Sequence, residues 1–121
     1  LHILHPQHDL IKLCQKLNIS VTSYGTLGSP GSAQMRQVRS TPHGDCMGYP
    51  VITEIAQKYH KTPAQILLRH MIQRGVSTIP KSTNPDRIRQ NIDIFDFQIS
   101  DEDFKRIEGI RERQQLFDFE L

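Results

Sequence analysis

The chain holds 121 residues, 36% hydrophobic and 23% charged, with two cysteines, no tryptophan and a formal net charge of +2. No apolar run approaches the roughly 20 residues that cross a bilayer, and no basic stretch followed by an apolar one opens the sequence, so neither a membrane span nor a signal peptide is expected. Cys14 and Cys46 are too few and too widely spaced for a disulfide framework or a zinc knuckle, which points to reduced thiols in a cytoplasmic protein.

In chain order, Leu1 to Leu4 reads as a strand or the end of one. Leu10, Ile11, Leu13, Cys14 and Leu17 then fall at the spacing that lines one helical face, with a stop at Asn18. Ile19 to Tyr24 is a β-branched run ended by Gly25 and reads as a second strand. Residues 25 to 50 are rich in glycine and proline and show no period, which predicts a long loop of the kind that is functional or disordered. From Val51, the positions Ile52, Ile55, Ala56 and Tyr59 suit a helix.

Thr62-Pro63-Ala64-Gln65 is a capping box with proline at the first helical position, and the helix it opens carries Ile66, Leu67, Met71 and Ile72 up to a left-handed cap at Gly75. Val76 to Ile79 reads as a third strand, stopped by Pro80. Asn84-Pro85 starts a short helix that presents Arg87, Gln90 and Asn91 on successive turns. Residues 92 to 99 are apolar and aromatic without a clear period. Ser100 to Asp103 opens a last helix with acids at its positive end and Phe104, Ile107 and Ile110 on its buried face. The tail from Arg111 to Leu121 carries Phe117 and Phe119.

This order of strands and helices demands right-handed crossovers and parallel pairing, hence an α/β fold. Three parallel strands leave two open edges, which natural domains close or cover. Together with a chain that starts at Leu1 inside an apolar stretch, this predicts that residues 1–121 are a segment of a barrel whose other strands lie outside them.

The net charge conceals an asymmetry. Lys and Arg outnumber Asp and Glu seven to one over residues 56–91, and Asp and Glu lead nine to four over residues 92–121. A basic middle calls for an anion. The sharpest constellation in it is Ile79-Pro80-Lys81-Ser82-Thr83-Asn84-Pro85-Asp86-Arg87, at the carboxyl end of a strand and the start of a helix. Ligand sites of parallel α/β folds lie at that end. Lys81 and Arg87 supply cations, Ser82 and Thr83 hydroxyls, and the helix start free N–H groups and a positive dipole end, which describes a phosphate pocket. The plainer alternative is a capped turn with solvated charges.

Tyr24 to Gly31 is a strand end running into a glycine-rich loop, suited either to stacking on a flat ring with amides near a pyrophosphate or simply to a turn. His2, His5 and His8 invite a metal reading that strand-and-loop spacing does not support, so no metal is expected. His43, Asp45 and Cys46 resemble a nucleophile with its base in composition only. Lys58, His60, Lys61, Arg69 and Arg74 make an unspecific basic stretch for which a nucleic-acid face is a distant alternative.

Taken together, Tyr24 to Ser29, Thr62 to Arg69, Gln73 to Val76, Ile79-Pro80-Lys81-Ser82, Arg87, Asn91 and Phe95-Asp96-Phe97 resemble the C-terminal part of the aldo-keto reductase family, over nearly the whole chain. The resemblance implies the C-terminal portion of a (β/α)8 TIM barrel, incomplete as it stands, with about three parallel strands and their helices. It also implies an oxidoreductase that uses NADPH to reduce aldehydes and ketones to alcohols. By that resemblance Tyr24 would stack on the nicotinamide, and Gly25, Leu27 and Ser29 would line the pyrophosphate. Lys81, Ser82, Thr83 and Arg87 would hold the adenosine 2′-phosphate, with Gln90 and Asn91 near the adenine. The family's catalytic Asp, Tyr, Lys and His lie upstream of the resembling segment, so none is assigned here, and the segment alone is expected to be inactive. Its expected partners are NADP(H), a small carbonyl substrate and the rest of the barrel, with neither nucleic acid nor membrane. The alternative from another class is a non-catalytic nucleotide-binding or interaction module of the same fold. His70 stands where tryptophan is frequent in the family.

Overall fold

A computed structural model describes residues 1–30 and 45–116. Phe117, Phe119 and His43 lie outside the described residues.

The chain's punctuation places its helices. Helix α1, His8–Lys16, starts without a side-chain cap on Gln7, whose φ of 50° is left-handed, and it is closed by Leu17 and Asn18, the latter at φ 57°. Helix α2, Pro50–Tyr59, has proline in its first turn, and the left-handed His60 ends it. Helix α3, Pro63–Gln73, opens on the predicted capping box: the Gln65 amide donates to Thr62 Oγ1 at 3.2 Å, and the Thr62 amide to Gln65 Oε1 at 3.0 Å. Gly75, at φ 74°, lets the chain leave α3 and turn back. Asn84 caps helix α4, Pro85–Ile92, and Ser100 caps helix α5, Asp101–Glu108.

Between α1 and α2 lies strand β1, Thr22–Ser23, and after α3 comes strand β2, Ser77–Thr78. They pair in parallel with Thr22 opposite Ser77 and Ser23 opposite Thr78. The α/β class and the parallel sense are as expected. The strand count is not: the described residues hold two strands where three were predicted. Leu1 to Leu4 instead enters a tight turn closed by an isolated antiparallel bridge between His2 and His5, whose amide donates to His2 O at 2.9 Å. Pro6 then removes the next backbone donor. Leu1 still lies against the end of β1, since its amino group donates to Tyr24 O at 3.0 Å and Ser23 Oγ donates to Leu1 O. A ladder extends only as far as its partners do. With one neighbour each, 19–24 and 76–79 shrink to two paired residues.

The main core joins α2, α3 and α5 through Ile52, Ile55, Ile66, Leu67, Ile99 and Ile107, all buried. A smaller cluster of Ile11, Met71 and Val76, with Leu1 and Val21 against it, seats α1 on the sheet. Of the predicted apolar face of α1 only Ile11 is buried, and Leu10, Leu13 and Leu17 stay half exposed.

The stretch 92–99, which has no period, is held by polar side chains of α3. Gln65, Arg69 and Gln73 recur every fourth residue and so share one face. Gln65 Nε2 donates to Gln90 O and Asp93 O, both at 3.1 Å, and Arg69 donates to Ile94 O at 3.1 Å. The Gln73 carboxamide takes both backbone groups of Ile99, accepting from its amide at 2.8 Å and donating to its carbonyl at 3.0 Å. An irregular segment thus keeps its buried backbone groups paired without a strand.

Candidate functional site

Because β1 and β2 are parallel and in register, their carboxyl ends face the same way, and the chain leaving each of them emerges beside the other. Residues 24–29 leave β1, and residues 79–84 leave β2 and lead straight into α4. The two constellations singled out by sequence, far apart in the chain, therefore share one end of the sheet.

On the first loop Tyr24 presents its ring to solvent, with 62% of the residue exposed. Below it the chain is fixed: Ser23 and Thr26, both buried, share a hydroxyl–hydroxyl bond of 2.6 Å, and the Gly28 amide donates to Gly25 O at 3.0 Å. Gly25 and Gly28 have φ of 69° and 80°. At Gly28 a Cβ would also stand 3.0 Å from Cys46 Sγ, so both backbone angle and space require glycine. Leu27 packs into the main core, so what it gives the open side is backbone. Ser29 holds a left-handed φ of 47°.

On the second loop Lys81 and Thr83 are exposed and Ser82 half buried. Ser82 Oγ accepts from the Asn84 amide at 3.1 Å, leaving its own proton free to donate. The expected free amides at the start of α4 are not free. Asn84 Oδ1 accepts from Asp86 at 2.9 Å and from Arg87 at 3.3 Å, and Pro85 has no N–H. What α4 offers is the positive end of its dipole and its side chains.

Arg87 is exposed on α4, and among the described residues neither it nor Lys81 has a carboxylate within ion-pair distance. Several other basic groups are taken. Asp86 pairs with Arg89 at 3.2 Å, Lys61 with Asp96 at 2.9 Å, Lys58 with Asp103 at 2.8 Å, and Arg106 with Glu54 at 2.7 Å. Two cations without a counter-charge, beside two hydroxyls, suit a doubly charged anion. Gln90 is exposed and Asn91 half buried further along α4.

The other constellations are put to internal use. The Cys46 thiol lies 3.3 Å from His2 Nδ1, but burial pushes the thiol up to about 12 and the imidazole down to about 3. A neutral thiol beside a neutral imidazole is not an activated nucleophile. Asp45 accepts from the Gly48 amide at 2.7 Å instead of turning to Cys46. The rings of His2 and His5 lie 6.1 Å apart, centre to centre, but the early histidines take different partners. His5 is bonded to Gln7 at 2.8 Å and His8 to Glu108 at 3.1 Å, and no described group of His, Cys, Asp or Glu forms a metal-holding set. Of the basic stretch, Arg69 is bonded to Gln73 and Ile94 O, and Arg74 to Glu108 and Pro6 O, while Lys58 and Lys61 hold the carboxylates just described.

Sequence reasoning missed the polar ridge of Gln65, Arg69 and Gln73. Their recurrence every four residues within an otherwise apolar helix was the available signal.

The family model described as Aldo/keto reductase family matches residues 1–112. Among curated proteins the chain is 42% identical to aldo-keto reductase family 1 member A1-A of Danio rerio over 115 residues, which is 93% of this chain and 34% of that protein. It is 41% identical to the NADPH-dependent D-xylose reductase of Meyerozyma guilliermondii over 106 residues, 85% of this chain and 33% of that protein. It is 35% identical to the 9,11-endoperoxide prostaglandin H2 reductase of Trypanosoma cruzi over 116 residues, 96% of this chain and 37% of that protein. The chain spans about a third of the length of these relatives.

Proposed function

The chain belongs to the aldo-keto reductase family, and on that premise we propose that it forms the nucleotide-gripping part of an NADPH-dependent oxidoreductase that reduces aldehydes or ketones to alcohols. One observation carries the reading. Lys81 and Arg87, unpaired among the described residues, stand with Ser82 and Thr83 at the same sheet end as the loop that presents Tyr24.

In this reading Lys81, Ser82, Thr83 and Arg87 hold the 2′-phosphate of the adenosine, and Gln90 and Asn91 flank the adenine. The backbone of Gly25, Leu27 and Ser29 lies along the pyrophosphate, and the ring of Tyr24 stacks on the nicotinamide. Bound NADPH supplies the hydride. This segment's work is to bind and orient, and the acid that protonates the carbonyl oxygen comes from the part of the relatives that the chain does not cover. That part would also complete a (β/α)8 barrel around β1 and β2. No described helix is long and apolar enough to cross a membrane. The free thiols of Cys14 and Cys46 fit a cytoplasmic setting.

The experiment is a titration of the full-length protein carrying this segment with NADPH and NADH, alongside its Arg87→Ala variant. A charge-assisted contact of about 1.5–3 kcal/mol corresponds to a loss of roughly 10- to 100-fold. That loss is expected for NADPH, with NADH binding changed by less than about threefold. Equal losses for both cofactors would remove the 2′-phosphate assignment.

A further inference from the structure

Glu108, in the last turn of α5, gathers side chains from two other helices. Its Oε1 lies 2.6 Å from His70 Nε2 and 3.5 Å from Arg74 Nε, both on α3, and its Oε2 lies 3.1 Å from His8 Nδ1 at the start of α1. Arg74 also donates to Pro6 O at 2.7 Å, just ahead of α1. Since Gln7 gives α1 no side-chain cap, these two ties hold the helix start, while the rest of the helix is held by the buried Ile11 and by Gln15 Nε2, which donates to Arg74 O at 2.8 Å. His70 is buried with its ring 5.0 Å from that of Phe104, and its Nδ1 has no hydrogen-bond partner.

We propose that the His70–Glu108–His8 cluster is an acid-released latch that fastens the start of α1 to α3 and α5 at neutral pH and loosens it as His70 takes up a proton. The geometry sets the direction. Neutral His70 donates Nε2–H to Glu108 and keeps a bare lone pair on Nδ1, which costs little against an aromatic ring. A second proton would place an N–H at Nδ1 where no acceptor stands, a larger penalty in a buried site. The ring meets that penalty by turning out of its pocket, which drops Glu108 and with it the tie to His8.

The charges around the ring are Glu108 on α5, which favours the imidazolium, and Arg74 on α3 and His8 on α1, which oppose it. Burial is the largest influence and holds His70 below its ordinary 6.5. A histidine depressed in the folded state contributes stability that is whole above 6.5 and is lost as the pH falls from there toward its folded value. For Glu108 burial is the largest single influence and raises it, but its bond to His70 and the nearby cations together outweigh burial and hold it down, so its share is lost only below its ordinary 4.5. The first stage of release therefore belongs to His70.

The test is amide exchange by NMR over Ile11 to Lys16, corrected for intrinsic rates, between pH 7 and pH 5.5, in the protein and its His70→Phe variant. Comparing the two removes the contribution of His2, which both share. The expected result is that the wild type loses protection in α1 more steeply than the variant, by up to about tenfold per pH unit, the limit for one proton. Equal losses would overturn the latch. Should His70→Phe not fold, the His70 ring resonance in the wild type decides. A midpoint below 6.5 with α1 amide protection falling through that same midpoint supports the latch, and a midpoint at or above 6.5, or α1 protection that does not change through it, overturns it.

Discussion

Single side chains in this molecule stand in for missing secondary structure. Gln73 pairs both backbone groups of Ile99, as a neighbouring strand would. Replacing it by leucine strands a buried donor and a buried acceptor, so Gln73→Leu should lower stability by about 1–3 kcal/mol for each group left unpaired, measured by urea unfolding. Asp103 is a second such residue. Buried on α5, it accepts from Lys58 at 2.8 Å, Tyr59 at 3.0 Å and Ser100 at 3.1 Å. The Lys58 bond, helped by the two hydroxyls, holds its carboxyl below the usual carboxylate range. A depressed acid contributes stability that is whole above its ordinary 3.8 and disappears as the pH falls through its folded value. Asp103→Asn should therefore flatten the acid limb of the stability curve below about pH 4 while leaving the limb near pH 6 in place. A curve of unchanged shape would count against this role.

At the scale of elements, the helices were legible with their ends and the strands only as places, for one physical reason. A helix end is written locally, in residues within one turn of each other: Thr62 with Gln65, Asn84 with Pro85, Gly75 after α3. Thr62→Ala should cost about 1 kcal/mol and fray the start of α3, visible as lost amide protection at Gln65 and Ile66. A parallel strand depends on partners elsewhere, so the runs 19–24 and 76–79 announce strands whose length the run cannot set, and the run 1–4 announces one that does not form. The same division holds for the site. Glycines and cations near strand ends could be read along the chain. That the two loops lie side by side follows only from the pairing of Thr22 with Ser77, and that Asn84 already occupies the first amides of α4 follows only from its side-chain geometry.

For the whole molecule, the main feature is surface left uncovered. Among the described residues the two-stranded sheet has an open edge on each side, and aliphatic groups elsewhere stay exposed: Leu10, Leu13, Leu17 and Ile19 on α1 and after it, Ile88 and Ile92 on α4. Side chains of that kind are normally met by further strands and helices, consistent with a chain that spans a third of its relatives. The 121 residues on their own should associate, so sedimentation velocity should show a weight-average mass that rises with concentration. A monomer with one sharp cooperative melt at low concentration would contradict this. The charge pattern has the same logic at this scale. Within the basic middle, Lys58, Lys61, Arg74 and Arg89 pair with internal carboxylates and Arg69 with Gln73 and Ile94 O, while Lys81 and Arg87 have no carboxylate partner among the described residues.

That pair can be interrogated without any catalysis. In the full-length protein, NMR or calorimetric titration with adenosine 2′,5′-bisphosphate and with adenosine 5′-monophosphate compares two ligands that differ only in the 2′-phosphate. Tighter binding of the bisphosphate by roughly 10- to 100-fold, with shifts centred on Lys81 to Thr83 and Arg87, is the predicted result. Equal affinity for the two, or shifts elsewhere in the chain, would contradict the account.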